Sequence, residues 1–158
     1  MAKRARPKIE YLRPEEFEAW HGTLVNGTRV LRALDDGLRA HHGISVAEFD
    51  VLITLANAPD KRLRMADLAR SVALSPAGLT HLVTRLERER LLAREVDPSD
   101  RRGYHTVLTE AGEDRLNASR PVHNRIIRHL LLDRMSPADK RALGAIWKRL
   151  DSSSAGVH

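Results

Sequence analysis

The chain has 158 residues, 42% of them hydrophobic and none a cysteine. It is long enough for one domain with its own core, and disulfides, thiolate metal sites and cysteine redox chemistry are excluded. The formal charge is +6, with arginine supplying 22 of the 27 basic residues, a balance that suits a polyanionic partner and phosphate or guanine contacts.

Residues 1–13 carry Lys3, Arg4, Arg6, Lys8 and Arg13 against Glu10 and read as a flexible basic arm. No apolar h-region stands there and no apolar run approaches the roughly 20 residues that span a bilayer, so a cytoplasmic location without membrane contact is expected. Pro14-Glu-Glu opens a helix, because proline fits the first turn and acids suit the positive end of the dipole. Phe17, Trp20, Leu24, Gly27, Leu31, Leu34 and Leu38 then recur at steps of three and four, a heptad seam on one long helix ending near Gly43. A seam of this length predicts an N-terminal dimerisation helix over 14–44, with Gly27 at a close helix approach.

Ser45-Val-Ala-Glu48 is a capping box for a second helix that stops before Pro59. Asp60-Lys-Arg reads as a turn and Met65 to Val72 as a short helix. Ala73-Leu74 forms the next turn. Ser75-Pro76 starts a helix running to about Arg90, with Leu79, Leu82, Val83 and Leu86 inward. Leu91 to Val96 and Tyr104 to Leu108 read as two strands joined by the polar loop 97–103, longer than a tight turn. Thr109 caps a helix that Pro121 should kink or interrupt, and Ser136-Pro-Ala-Asp139 caps a last one with Leu143, Ile146, Trp147 and Leu150 on one face. These C-terminal helices span 109–151, the segment to which the resemblance given below assigns dimerisation, and 152–158 reads as a frayed tail.

Helix, short turn, helix, hairpin is the order of a winged helix-turn-helix, here over 45–108 in a mainly α chain with a small β-hairpin wing. The pattern leaves Ser75, Pro76, Ala77, Thr80, His81 and Thr84 on the outer face of the second helix, where a recognition helix reads base edges in the major groove. Ser75 and Thr80 can bond phosphate or base, the Ala77 and Thr80 methyls can meet thymine, and His81 can donate or accept. Arg85 lies further along, suited to phosphate or guanine. Arg101 and Arg102 at the hairpin tip can enter a narrow minor groove, with Asp100 pairing to orient a guanidinium.

The run from Leu63 to Leu116 resembles the DNA-binding lobe of the MarR family of bacterial regulators. The matching segments are S-x-x-G-L-T-x-L-V-x-R-L-E from Ser75, D-P-x-D-R-R-G from Asp97, and L-T-x-x-G from Leu108. The resemblance covers about residues 14–150. It implies a homodimer with intertwined terminal helices that binds double-stranded DNA at a palindromic promoter site, usually as a repressor. It also implies that Arg102 enters the minor groove, that Asp100 orients it, and that 75–85 reads the major groove. Glu89-Arg90 departs from the glycine that commonly precedes the hairpin.

The resemblance further implies a small aromatic or phenolic anion as effector, for which Trp20, Phe49 and Arg64 are candidate lining residues; as plain core, Trp20 and Phe49 need no ligand. No cofactor or metal site is expected: no two histidines stand at i, i+4, and His123 and His129 lie roughly 240° apart around a helix. No phosphate loop, Gly-x-Ser-x-Gly or metal-ligand helix motif points to an enzyme. A winged-helix module that binds protein is the alternative, opposed by the polar recognition face and the wing arginines.

Overall fold

A computed structural model describes residues 11–72, 74–97 and 100–154, apart from the side chains of 100–102 and 152–154. The arm through residue 10, Ala73 of the turn and the last four residues of the tail lie outside that description.

Among the described residues, six helices and one small sheet follow each other as α1 (Pro14–His42), α2 (Val46–Asn57), a 3-10 turn (Pro59–Lys61), β1 (Arg62–Arg64), α3 (Met65–Ser71), α4 (Pro76–Arg88), β2 (Leu92–Asp97), β3 (Asp100–Leu108), α5 (Glu110–Leu130), a second 3-10 turn (Leu132–Arg134) and α6 (Pro137–Ser154). Local chemistry sets most of the helix ends. The Ser45, Ser75 and Thr109 hydroxyls accept from the backbone N–H groups of Glu48, Gly78 and Gly112, each satisfying a donor the helix leaves orphaned. At Ser136 the Asp139 carboxylate receives both the backbone N–H and the hydroxyl. Gly43 ends α1 in the left-handed conformation at φ 66°, which glycine adopts without steric penalty.

Leu38, Ile44, Leu52, Leu55, Leu68, Leu79, Val83, Leu86, Leu91 and Leu116 form one buried core. It joins the inner end of α1, all of α2, the α3–α4 pair, the sheet base and the start of α5. Packing is tightest at Gly112. A Cβ there would collide with the Leu91 carbonyl oxygen and come within 2.7 Å of Leu108 Cδ1, so α5 can close onto the wing base only with glycine.

The structure changes the sequence reading at six points. Arg62–Arg64, read partly as a turn, is a strand, so the sheet has three antiparallel strands in the order β1-β3-β2. Strand pairing runs further toward the wing tip than expected: it reaches Asp97↔Asp100, and Arg101 and Arg102 stand on β3. Helix α5 runs unbroken past Pro121. Pro121 and Asn117, whose carbonyl loses a donor, both lie on the exposed face, where water replaces the missing bond. Helix α6 continues through Ser154 rather than fraying at 152. The close approach within the chain is at Gly37, where a Cβ would stand 2.5 Å from Ile126 Cδ1, while nothing lies within 4 Å of one at Gly27.

The sixth point is the end of α4, which stops at Arg88, two residues early. Leu91 N–H donates to the Leu86 carbonyl and Arg90 N–H to that of Glu87, the paired bonds of a Schellman cap. Arg90 takes the left-handed position of that cap at φ 60°, where the resemblance expects glycine.

Candidate nucleic-acid interface

Helix α4 buries Leu79, Val83 and Leu86, and that stripe decides which face looks outward. Ser75, Pro76, Ala77, Thr80 and His81 are exposed, and Thr84 is half-buried. The Ser75 oxygen accepts from Gly78 N–H at 3.2 Å, which leaves the Ser75 O–H to donate. Thr80 donates to the Pro76 carbonyl and Thr84 to that of Thr80, each at 2.9 Å. With those protons committed, both threonines offer outward only a methyl and acceptor lone pairs, a match to thymine methyls or exocyclic amino groups.

Arg85 is held from behind. Its Nη2 lies 2.5 Å from Glu48 Oε1 on α2, and Glu48 is only 4% exposed. The other Glu48 oxygen receives the Ser45 backbone N–H and hydroxyl. One buried carboxylate therefore caps α2 and anchors α4. The Arg85 side chain stays half exposed, with further donors of its guanidinium facing outward.

In the wing the side chains of Asp100, Arg101 and Arg102 fall outside the described residues. Asp97, read as a turn residue, is 3% exposed and ion-paired with Arg64. The ladder shifts register between Val96 and Asp97, and a bulge of this kind re-aims the side chain after it. His105 pairs with both Arg64 and Glu95 in the ladder, and its buried Nδ1 lies 3.9 Å from Asp97 Oδ2, beyond hydrogen-bond reach. On the opposite face a groove of about 300 Å³ between α4 and the wing is lined by Met65, Thr80, Arg94, Tyr104 and Thr106. Arg94 Nε is fixed by Glu87 Oε1 at 2.7 Å, and Tyr104 stands exposed. The sequence does not single out Arg94 and Tyr104, because a surface strand presents every second residue without further signal.

The three residues read as an effector lining are not brought together within one chain. Trp20 is 58% exposed on α1, Arg64 pairs with Asp97, and buried Phe49 stacks on His123 at 4.2 Å between ring centroids. Phe49 does border a cleft of about 530 Å³ between α1, α2 and α5, whose lining includes Leu31, Leu34, Ile53, Leu74 and His123 but neither Trp20 nor Arg64. The cleft also holds Asp50, whose carboxyl burial pushes above the ordinary aspartate range against the lowering effect of His123. No described helix is long and apolar enough to cross a membrane.

Residues 42–103 match the sequence profile of the MarR family. The HTH-type transcriptional regulator MhqR of Bacillus subtilis (strain 168) is 32% identical over 99 residues, 61% of this chain and 67% of the relative. The MarR family regulator Sco3205 of Streptomyces coelicolor, solved in complex with DNA, is 31% identical with a TM-score of 0.84, over 92% of this chain and 91% of that one. AbsC, a MarR family regulator of the same organism, is 30% identical at 0.85, over 94% and 100%. The chain belongs to the MarR family of winged helix-turn-helix transcriptional regulators, which are DNA-binding proteins and not enzymes.

Proposed function

We propose that the chain works as a homodimer that represses transcription from a palindromic promoter site and lets go when a small molecule binds. The observation that carries the DNA reading is the exposed polar face of α4 beside the wing. In this reading Ser75, Pro76, Ala77, Thr80, His81 and Thr84 enter the major groove. Ser75 donates to phosphate and Thr80 turns its methyl and lone pairs to base edges. Arg85, held by Glu48, contacts phosphate or guanine. Arg101 and Arg102 reach the minor groove from the wing, oriented by Asp100. A backbone strand crossing from one groove to the other passes the cleft where Arg94 and Tyr104 stand, and those two donors hold its phosphates.

The dimer reading rests on apolar surface left uncovered. Phe17, Trp20, Leu24 and Leu31 on α1 and Ile146, Trp147 and Leu150 on α6 are all exposed, more contiguous apolar surface than a lone soluble chain usually shows. A partner helix seated at Gly27, where no described residue comes within 4 Å of a Cβ, would cover it. The cleft at Phe49 supports the effector reading, because it lies between α1, α2 and α5 and borders the residue preceding α4.

The test is fluorescence anisotropy of the purified protein on the DNA upstream of its own gene, with excess nonspecific duplex. Specific binding that weakens steeply with salt, as counterions return to the phosphates, is expected. Binding no tighter than to random duplex would overturn the repressor reading at that site.

A further inference from the structure

The Phe49 cleft is mostly apolar. Its lining side chains are Leu31, Leu34, Val46, Ala47, Phe49, Asp50, Ile53, Leu74 and His123. No lysine, arginine or hydroxyl is among them, and the only polar side chains are Asp50 and His123. Asp50 is an acceptor when ionised. His123 Nδ1 lies 3.2 Å from Asn124 Oδ1, and its ring stacks on Phe49. A phenolate or carboxylate in this cleft would find mostly apolar walls and the Asp50 carboxylate close by, with no lysine or arginine to pair with. Desolvating an anion without a partner is strongly unfavourable.

We infer that the cleft takes a flat aromatic cation, an amine or amidine carried on a ring system, with the Asp50 carboxylate as its counter-ion. This reverses the charge of the effector that the sequence resemblance implies, and it rests on the ligand-responsive reading above. The ring would lie among Leu31, Leu34, Ile53 and Leu74, at the edge of the Phe49–His123 stack. A volume of about 530 Å³ suits two fused rings with a short side chain, within the usual range for small-molecule sites. The ammonium or amidinium donates to the Asp50 carboxylate. Its charge compensates a carboxylate that is half-buried and held above its ordinary pKa by desolvation, so that binding removes an unfavourable burial as well as adding contacts. Leu74 is the residue before Ser75, the N-cap of α4. A ligand that moves Leu74 therefore moves the start of the recognition helix.

The test is isothermal titration of the full chain, free of DNA, with two probes that share a ring and a linker and differ in charge: tryptamine and indole-3-propionate. Tryptamine is expected to bind more tightly by roughly tenfold or more, the size of one half-buried charge contact. Asp50→Asn should remove most of that preference, chiefly by weakening tryptamine. Indole-3-propionate binding equally or more tightly overturns the inference. So does a tryptamine preference that survives in Asp50→Asn, or no tryptamine binding at concentrations of about 5 mM. Failure of the ligand-responsive reading looks different: tryptamine binds with the expected dependence on Asp50, yet operator affinity in the anisotropy assay is unchanged at saturation.

Discussion

Arg85 Nη2 stands 2.5 Å from Glu48 Oε1, so the helix that faces DNA is fastened to the carboxylate that caps its neighbour. Glu48 is buried and Arg85 half exposed, which splits the expected losses unevenly. Glu48→Ala removes a cap and a buried ionic hydrogen-bond acceptor and should destabilise the chain by about 2 kcal/mol. Arg85→Ala should lose about 1 kcal/mol, because solvent screens its exposed half. In urea titrations the double variant should fall short of the sum by about 1 kcal/mol. Strict additivity would mean that the contact contributes nothing to holding α4.

Arg90 occupies the left-handed cap position at φ 60°. A side chain there is strained by roughly 1 kcal/mol, and glycine is not, although glycine loses more freedom on folding. Arg90→Gly should raise stability by about 0.5 kcal/mol, seen as a higher urea midpoint at unchanged slope. A lower midpoint would show that the Arg90 side chain makes a stabilising contact that outweighs the strain.

Those two sites illustrate what could be read from the chain alone. Helix starts at Ser45, Ser75, Thr109 and Ser136 were legible because a cap is written within four residues. The exposed face of α4 was legible because Leu79, Val83 and Leu86 fix its rotation. Strand β1 was not: Arg62-Leu63-Arg64 has one apolar residue and no period, and it is a strand only because β3 lies beside it. The burial of Asp97 was hidden for the same reason, since its partner Arg64 comes from β1 and the bulge that turns it is set by strand pairing. The cleft combines Asp50 of α2 with His123 of α5, a juxtaposition created by helix packing. Gly27 and Gly37 share α1, and only packing shows that Gly37 meets α5 within the chain.

Asp50 gives a pH signature. Burial raises its folded-state pKa above the unfolded value, so the folded chain takes up this proton more readily than the unfolded one. Its contribution is therefore most favourable when the carboxyl is neutral, and is lost as pH rises through the raised value. Asp50→Asn should melt higher than the parent at pH 7, with the gap closing toward about pH 4, the ordinary aspartate range. A gap that stays constant with pH would remove desolvation of Asp50 as its cause.

Asp97 separates positioning from bulk electrostatics in the wing. Replacing a carboxylate by a neutral amide makes the protein more positive, and charge alone would tighten DNA binding. If the Asp97–Arg64 pair sets the wing's orientation, Asp97→Asn should instead weaken operator affinity by about three- to tenfold, the loss of one charge-assisted contact. Anisotropy at fixed salt measures the difference. Tighter binding would assign Asp97 no positioning role.

The exposed stripe on α1 yields the last prediction. Leu24 is half exposed in the single chain, so a charge there leaves the core around Leu38 and Leu52 untouched. In a dimer formed through this face the same charge would be buried without a partner, which is strongly unfavourable. Leu24→Asp should therefore halve the mass seen by light scattering on a sizing column while the helical circular dichroism persists. Losing the second half-site should also lower operator affinity by roughly 100-fold, because two linked contacts become one. An unchanged mass would place the dimer contact elsewhere, with the apolar face of α6 around Trp147 the next to be charged.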